Sequence, residues 1–210
     1  VFVKVCGLAT TADIDVATEA GADAIGLVIS ERSVRGLARE QAARLAAHVT
    51  TGATGVTSVL VVNDMPAAEA AGLARDIGIG ALQLHGPAYG EEDFAEAFAL
   101  FPHLWRATSL KDRPDTRVGV YREEVLLLDS PEAGSGARWD LSLLDTARPE
   151  GSWLLAGGLT PGNVAEAIRQ ARPWGVDVSS GVESAPGVKD PELIRSFVTA
   201  AKTAGARVAS

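Results

Sequence analysis

A lone cysteine, two aspartates, a histidine and two glycine-rich turns stand where short apolar runs of this 210-residue chain come to an end. Cys6 closes Phe2–Cys6 and is followed by Gly7. Asp129 closes Val125-Leu126-Leu127-Leu128, Asp177 lies in Gly-Val-Asp-Val-Ser-Ser-Gly, and His85 lies in Leu-Gln-Leu-His-Gly. At such rim positions a thiol and a carboxyl are candidates for work in a site. Each also has a quieter explanation. A single cysteine is usually an inert small core residue, and His85 or Asp177 can be a hydrogen-bonded member of a wall. A carboxylate that terminates an apolar run, as Asp129 does, must either reach solvent or act in a site. Arg35 is either a solvated surface charge or a fork for a substrate carboxylate or phosphate.

The glycines point to an anion. Leu155-Ala156-Gly157-Gly158-Leu159-Thr160-Pro161 and Val176-Asp177-Val178-Ser179-Ser180-Gly181-Val182 each follow an apolar run. Adjacent glycines let backbone N–H groups approach an anion with no Cβ in the way, and a following helix adds partial positive charge. Either loop alone reads as a tight turn. Together they make Gly157, Gly158, Ser180 and Gly181 candidates for holding a phosphate, and neither matches the Gly-x-x-x-x-Gly-Lys loop of nucleotide hydrolases.

These residues need a frame that brings strand ends together. Apolar runs at Phe2–Cys6, Ala24–Ile29, Thr57–Val62, Ala81–Leu84, Leu104–Thr108, Glu124–Asp129, Trp153–Ala156 and Gly175–Val178 read as eight strands. Helix-period segments fall between them at Thr11–Glu19, Arg39–His48, Pro66–Ile77, Glu91–Leu100, Leu141–Thr146, Pro161–Arg172 and Pro191–Ala204, with a weak signal between the fifth and sixth strands. Pro66, Pro161 and Pro191 suit a first helical turn. Strands alternating with helices make βαβ units around a parallel sheet, and eight of them predict a single-domain (β/α)8 TIM barrel over residues 1–210. An open doubly wound sheet gives no account of eight even units. Sites of such barrels lie at the strand C-termini, with phosphate commonly held after strands seven and eight.

The formal charge of −8 argues against a nucleic-acid surface, and no apolar stretch reaches the roughly 18 residues of a membrane helix. Residues 1–6 read as a strand rather than a secretory leader. One cysteine cannot form an internal disulfide. A cytoplasmic protein acting on a small molecule is expected, as monomer or homodimer.

Lys4-Val5-Cys6-Gly7-Leu8, Leu82-Gln83-Leu84-His85-Gly86, Leu127-Leu128-Asp129, Gly134-Ser135-Gly136 with Trp139-Asp140, the Gly157-Gly158 loop through Val164, and Val176 to Glu183 with Pro186-Gly187-Val188-Lys189-Asp190 run in order along the chain. This set closely resembles phosphoribosylanthranilate isomerases of tryptophan biosynthesis. The resemblance implies rearrangement of N-(5-phosphoribosyl)anthranilate, a phosphosugar, to 1-(2-carboxyphenylamino)-1-deoxyribulose 5-phosphate, with no metal or organic cofactor. It places Cys6 on the general base, Asp129 on the general acid and Arg35 on the arginine that meets the anthranilate carboxylate. His85, Asp177, Gly157, Gly158, Ser180 and Gly181 fall in the substrate site. One stretch departs from the family pattern: an aromatic-rich segment is replaced by Leu27-Val28-Ile29-Ser30-Glu31-Arg32-Ser33-Val34-Arg35-Gly36, which makes Arg32 an alternative carboxylate donor.

Other readings have their own requirements. A histidine-pathway isomerase calls for an aspartate where Cys6 stands, and a phosphopentose epimerase for metal ligands that His48, His85 and His103 do not assemble. A pure anion binder needs neither Cys6 nor Asp129. The acid/base assignment carries an energetic demand: with ordinary pKa values of about 8.5 and 3.9, the thiolate-plus-acid form lies roughly 6 kcal/mol above the thiol-plus-carboxylate form. A raised Asp129 and a thiol lowered by strand-end N–H groups would narrow that gap.

Overall fold

The computed structural model describes residues 1–52, 55–112, 114–129, 144 and 148–208. Eight parallel strands close into a barrel in chain order: β1 (Phe2–Cys6), β2 (Ala24–Ile29), β3 (Thr57–Val62), β4 (Ala81–His85), β5 (Leu104–Ser109), β6 (Val125–Asp129), β7 (Trp153–Leu155) and β8 (Gly175–Val178). The barrel shuts where β8 pairs with β1, in a register that sets Lys4 beside Asp177. Around it lie α1 (Thr11–Glu19), α2 (Arg39–Gly52), α3 (Ala67–Asp76), α4 (Glu91–Leu100), α5 (Val164–Ala171) and α6 (Pro191–Val208). A short antiparallel pair, β9 (Glu183–Ala185) and β10 (Val188–Lys189), follows β8. No helix among the described residues is long and apolar enough to cross a membrane.

Alternation along each strand produces two cores. Val3, Val5, Ile25, Leu27, Leu60, Leu82, Leu84, Leu126 and Leu128 point outward and pack with the helices. Cys6, Ala24, Val59, Val61, Ala81, Trp105, Ala107, Val125, Leu127 and Leu154 fill the barrel, as period-two side-chain direction requires. At the N-terminal end Phe2 stacks on Trp174 at 4.4 Å and meets Trp105 edge-on at 6.1 Å, stopping the barrel below the site.

The helix starts show which local signals act. Thr10, one residue before the predicted start, caps α1 by accepting from the Asp13 N–H. Pro191 opens α6, and Pro66 caps α3 in an extended conformation. Pro161 does not begin α5, because Asn163 holds the preceding chain in a turn: its Oδ1 accepts from the Thr160 N–H and its Nδ2 donates to the Gly158 carbonyl. The predicted Leu141–Thr146 helix lies outside the described residues save for buried Leu144.

Among the described residues, the β5–β6 connection holds one 3-10 turn, Leu110–Asp112, and no α-helix. A buried ion pair stands in for helix packing. Arg106 Nε donates to Glu123 Oε1 at 2.8 Å, and its Nη2 donates to the Asp115 and Arg117 carbonyls. The other Glu123 oxygen accepts from the Tyr121 N–H, and the Tyr121 ring lies under the guanidinium at 5.1 Å. Removing one partner of a buried pair leaves an uncompensated charge. Arg106→Met is therefore expected to lower unfolding free energy by about 3–5 kcal/mol in urea titration, with part of the loss recovered in Arg106→Met/Glu123→Gln.

Candidate active site

At the C-terminal ends of the strands lies a cavity of about 730 Å³. Cys6, Arg35, His85, Asp129, Gly157, Gly158, Asp177, Ser180 and Gly181, the nine residues singled out in the sequence, all line it. Arg32 does not. It lines a separate 700 Å³ depression with Asp64, Arg39 and Glu69, so of the two arginines Arg35 is the one at the barrel mouth.

Cys6 points inward from the end of β1, where a Cβ on Gly26 would come within 2.6 Å of its Sγ. Only glycine on β2 leaves room for the sulfur. Gly7 turns the chain with φ +77°, and a side chain there would meet the Arg35 stem at 2.6 Å, so Arg35 crosses directly over the thiol's turn. Its fork is anchored, Nε donating to Glu183 Oε1 at 2.6 Å and Nη2 to Oε2 at 2.8 Å. Asp129 ends β6, with one carboxylate oxygen 4.0 Å from His85 Nε2. Burial and the charge of Lys4 lower the pKa of His85, against a smaller effect of Asp177, so its ring is neutral at pH 7.

The glycine loops have the shape an anion needs. Gly157 and Gly158 have φ of +86° and +66°, conformations suited to glycine, and both line the cavity. In the turn after β8, Gly181 lies so close to the preceding loop that a Cβ would fall 1.8 Å from the Leu159 carbonyl oxygen. The two loops thus form one wall.

Beneath the thiol the cavity floor is charged. Lys4 is fully buried and donates from Nζ to Asp177 Oδ1 at 2.8 Å. Burial opposes its charge, but Asp177 and Cys6 outweigh burial and raise its pKa. Burial pushes the Cys6 thiol above its ordinary value, Lys4 and Lys189 pull it down, and Asp177 adds to the rise. The expectation of a lowered thiol is corrected accordingly: desolvation exceeds what the surrounding cations return. At the rim, Lys189 donates to Glu183 Oε1 at 2.8 Å and to the Ser179 carbonyl at 2.9 Å.

Sequence reasoning passed over Lys4, Gln83, Glu183 and Lys189 as individuals. Lys4 carried a signal, since a lysine two residues from Cys6 on an alternating strand shares its face. The Gln83 Oε1 is buried on the cavity floor with no hydrogen-bond partner among the described residues. The Glu183 and Lys189 contacts arise from β9–β10, whose short irregular strands have no legible period. No cluster of metal-ligating side chains is present among the described residues.

A family model described as N-(5'phosphoribosyl)anthranilate (PRA) isomerase matches residues 3–200. The chain belongs to that isomerase family. It is 43% identical over 209 residues to the N-(5'-phosphoribosyl)anthranilate isomerase of Myxococcus xanthus, covering 97% of each chain. The crystal structure of TrpF from Jonesia denitrificans superposes with a TM-score of 0.90 at 52% identity, over 97% of this chain and 98% of that one. A phosphoribosyl anthranilate isomerase in complex with reduced 1-(o-carboxyphenylamino)-1-deoxyribulose 5-phosphate superposes with a TM-score of 0.82 at 32% identity, over 97% and 99%. These isomerases share its eight-stranded barrel.

The rim network makes a prediction about stability. Burial works against the charge of Glu183, but hydrogen bonds from Arg35 and Lys189, the Lys189 charge and the Gly187 N–H prevail and hold its carboxyl down to about 2. A folded-state pKa below the unfolded value contributes stability above the unfolded pKa, and that contribution is lost as pH falls through the folded one. The unfolding midpoint in urea is therefore expected to drop between about pH 5 and pH 2, with Glu183→Gln removing a measurable part of that slope.

Proposed function

We propose that Cys6 and Asp129 isomerise N-(5-phosphoribosyl)anthranilate as general base and general acid, with the phosphate held by the loops after β7 and β8. The observation that carries this reading is the convergence of a thiol from β1 and a carboxyl from β6 on one cavity whose far wall is built from Gly157, Gly158, Ser180 and Gly181. Asp129 gives its proton to the ring oxygen of the aminoaldose. The nitrogen lone pair expels that oxygen from C1, leaving a protonated iminium. Cys6 thiolate then removes the C2 proton, and the C–H electrons flow into the iminium to give an enaminol. Transfer of a proton from the C2 hydroxyl to C1 completes the aminoketose with no change in composition. The iminium is the electron sink, so the chemistry asks for neither metal nor organic cofactor.

Arg35 crosses the mouth above Cys6 and supplies the positive charge for the anthranilate carboxylate, its fork steadied by Glu183. The side chains of His85 and Asp177 line the sugar-binding space. The phosphate contributes binding energy remote from the reacting carbons, which positions C2 against the sulfur. With one cysteine that must remain a free thiol, the reading fits a reducing compartment, the cytoplasm.

Fluorescence of phosphoribosylanthranilate, generated in situ and followed with chelator present, is expected to fall rapidly on addition of the protein. Cys6→Ala and Asp129→Asn are each expected to slow this by at least about a hundredfold, within the usual range for lost acid/base catalysis, with folding intact by circular dichroism. Near-normal turnover in Cys6→Ala overturns the base assignment. The pH profiles separate the roles. Where the active form is thiolate plus acid, kcat/KM of the wild type is level between the two pKa values and falls above that of the thiol. In Asp129→Asn no acid has to stay protonated, so residual kcat/KM should instead rise with pH through the thiol's elevated pKa.

A further inference from the structure

We propose that Lys4 is a positioning residue for this reaction, its buried ammonium acting as the counter-charge of the Cys6 thiolate while Asp177 holds it in place. The inference rests on the reading of Cys6 as the base. Lys4 and Cys6 are two residues apart on β1, so both side chains enter the barrel, Lys4 one layer below the sulfur. The ammonium has three donors and is fully buried. Among the described residues its one geometrically defined hydrogen bond runs to Asp177 Oδ1. Two N–H groups remain, and the inward-facing Ala24, Val59, Ala81, Trp105 and Leu154 of the inner core offer no acceptor. Gln83 Oε1, buried without a partner among the described residues, is a neutral acceptor on the cavity floor. A sulfur anion on the strand face of Lys4 is a charged one.

The other charged groups around Cys6 are committed elsewhere. Arg35 arrives from the segment after β2 with its fork on Glu183, and Lys189 from β10 is shared between Glu183 and the Ser179 carbonyl. Across the cavity stand neutral His85 and Asp129, 4.0 Å apart. Asp177, on β8, faces Lys4 in register and, among the described residues, is the one carboxylate in contact with the ammonium. It has two opposed effects on the sulfur. It fixes the helpful cation, and its own negative charge disfavours a second anion nearby. Removing either member of the pair should therefore move the thiol in opposite directions, which a merely structural ion pair would not do.

The test reads the sulfur itself. Cys6 is the only cysteine, so protein labelled with 13C at the cysteine Cβ gives a single resonance whose shift follows thiol ionisation. Lys4→Met is expected to raise the titration midpoint by at least one pH unit and to lower kcat/KM at neutral pH by at least tenfold. Asp177→Asn is expected to lower the midpoint by half a unit or more. An unmoved or lowered midpoint in Lys4→Met overturns the proposal. If Lys4→Met does not fold, Lys4→Gln is titrated in its place, and an unmoved or lowered midpoint there overturns the proposal. Because the titration needs no turnover, failure of Lys4 is distinguishable from failure of Cys6 as base, which shows instead as retained activity in Cys6→Ala.

Discussion

Where β8 meets β1 the barrel has to close, and the residues that meet there are an ammonium and a carboxylate rather than two aliphatic side chains. Taking Lys4 and Asp177 out of water costs several kcal/mol per ion, and only close mutual geometry offsets that cost. The pair stands directly beneath the thiol. A packed Met or Leu could close the seam with less electrostatic difficulty, but it would leave a Cys6 thiolate with only Lys189 and Arg35, both already tied to Glu183, as nearby positive charge. The positions of Cys6, Gly26, Arg35 and the two phosphate-side loops follow from the same closure, because the register of β1 against β2 and β8 fixes how far each strand end projects.

Charge is arranged in shells around that seam. The chain as a whole is acidic, with a formal charge of −8, yet Lys4, Arg35 and Lys189 surround the thiol side of the cavity. Each is tied to a carboxylate, so the cavity keeps cationic groups in fixed directions without exposing a large positive field. The opposite wall, where the proposed phosphate would sit, is built from left-handed Gly157 and Gly158, whose backbone N–H groups carry partial charge and no titratable proton. That division suits an anionic substrate whose two ends must be told apart. Burial raises the thiol, which works against the thiolate, and Lys4 and Lys189 are the groups that act against that rise.

Much of this was legible in the sequence because strand ends in a βα repeat are easy to find. All eight strands have the expected bounds within a residue, and those at Phe2–Cys6, Ala24–Ile29, Thr57–Val62 and Gly175–Val178 match at both ends, since β-branched and leucine runs bounded by Gly, Asp or Pro leave little freedom. Once eight strands were in place, Cys6, His85, Asp129 and Asp177 had to share a face. What sequence could not give was pairing. Nothing local to Arg106 says that it replaces a helix by binding Glu123, and nothing local to Glu183 says that it will hold Arg35 from 148 residues away. The thiol is displaced upward rather than downward for the same reason: N–H groups at a strand end are visible in sequence, whereas burial by neighbouring strands is a tertiary fact. The start of α5 was missed because the Asn163 side chain competes for the backbone N–H that a helix would otherwise use.

The central claim is that a single bound phosphosugar spans the cavity from the glycine loops to the thiol. A crystal structure with reduced 1-(2-carboxyphenylamino)-1-deoxyribulose 5-phosphate tests it most directly. The account predicts phosphate oxygens on the N–H groups of Gly157, Gly158 and Gly181, the carboxylate at Arg35, and the C2 carbon roughly 3–3.5 Å from Cys6 Sγ, as a near-attack geometry requires. A phosphate seated beside Arg32, or a C2 carbon turned away from the sulfur, would contradict it.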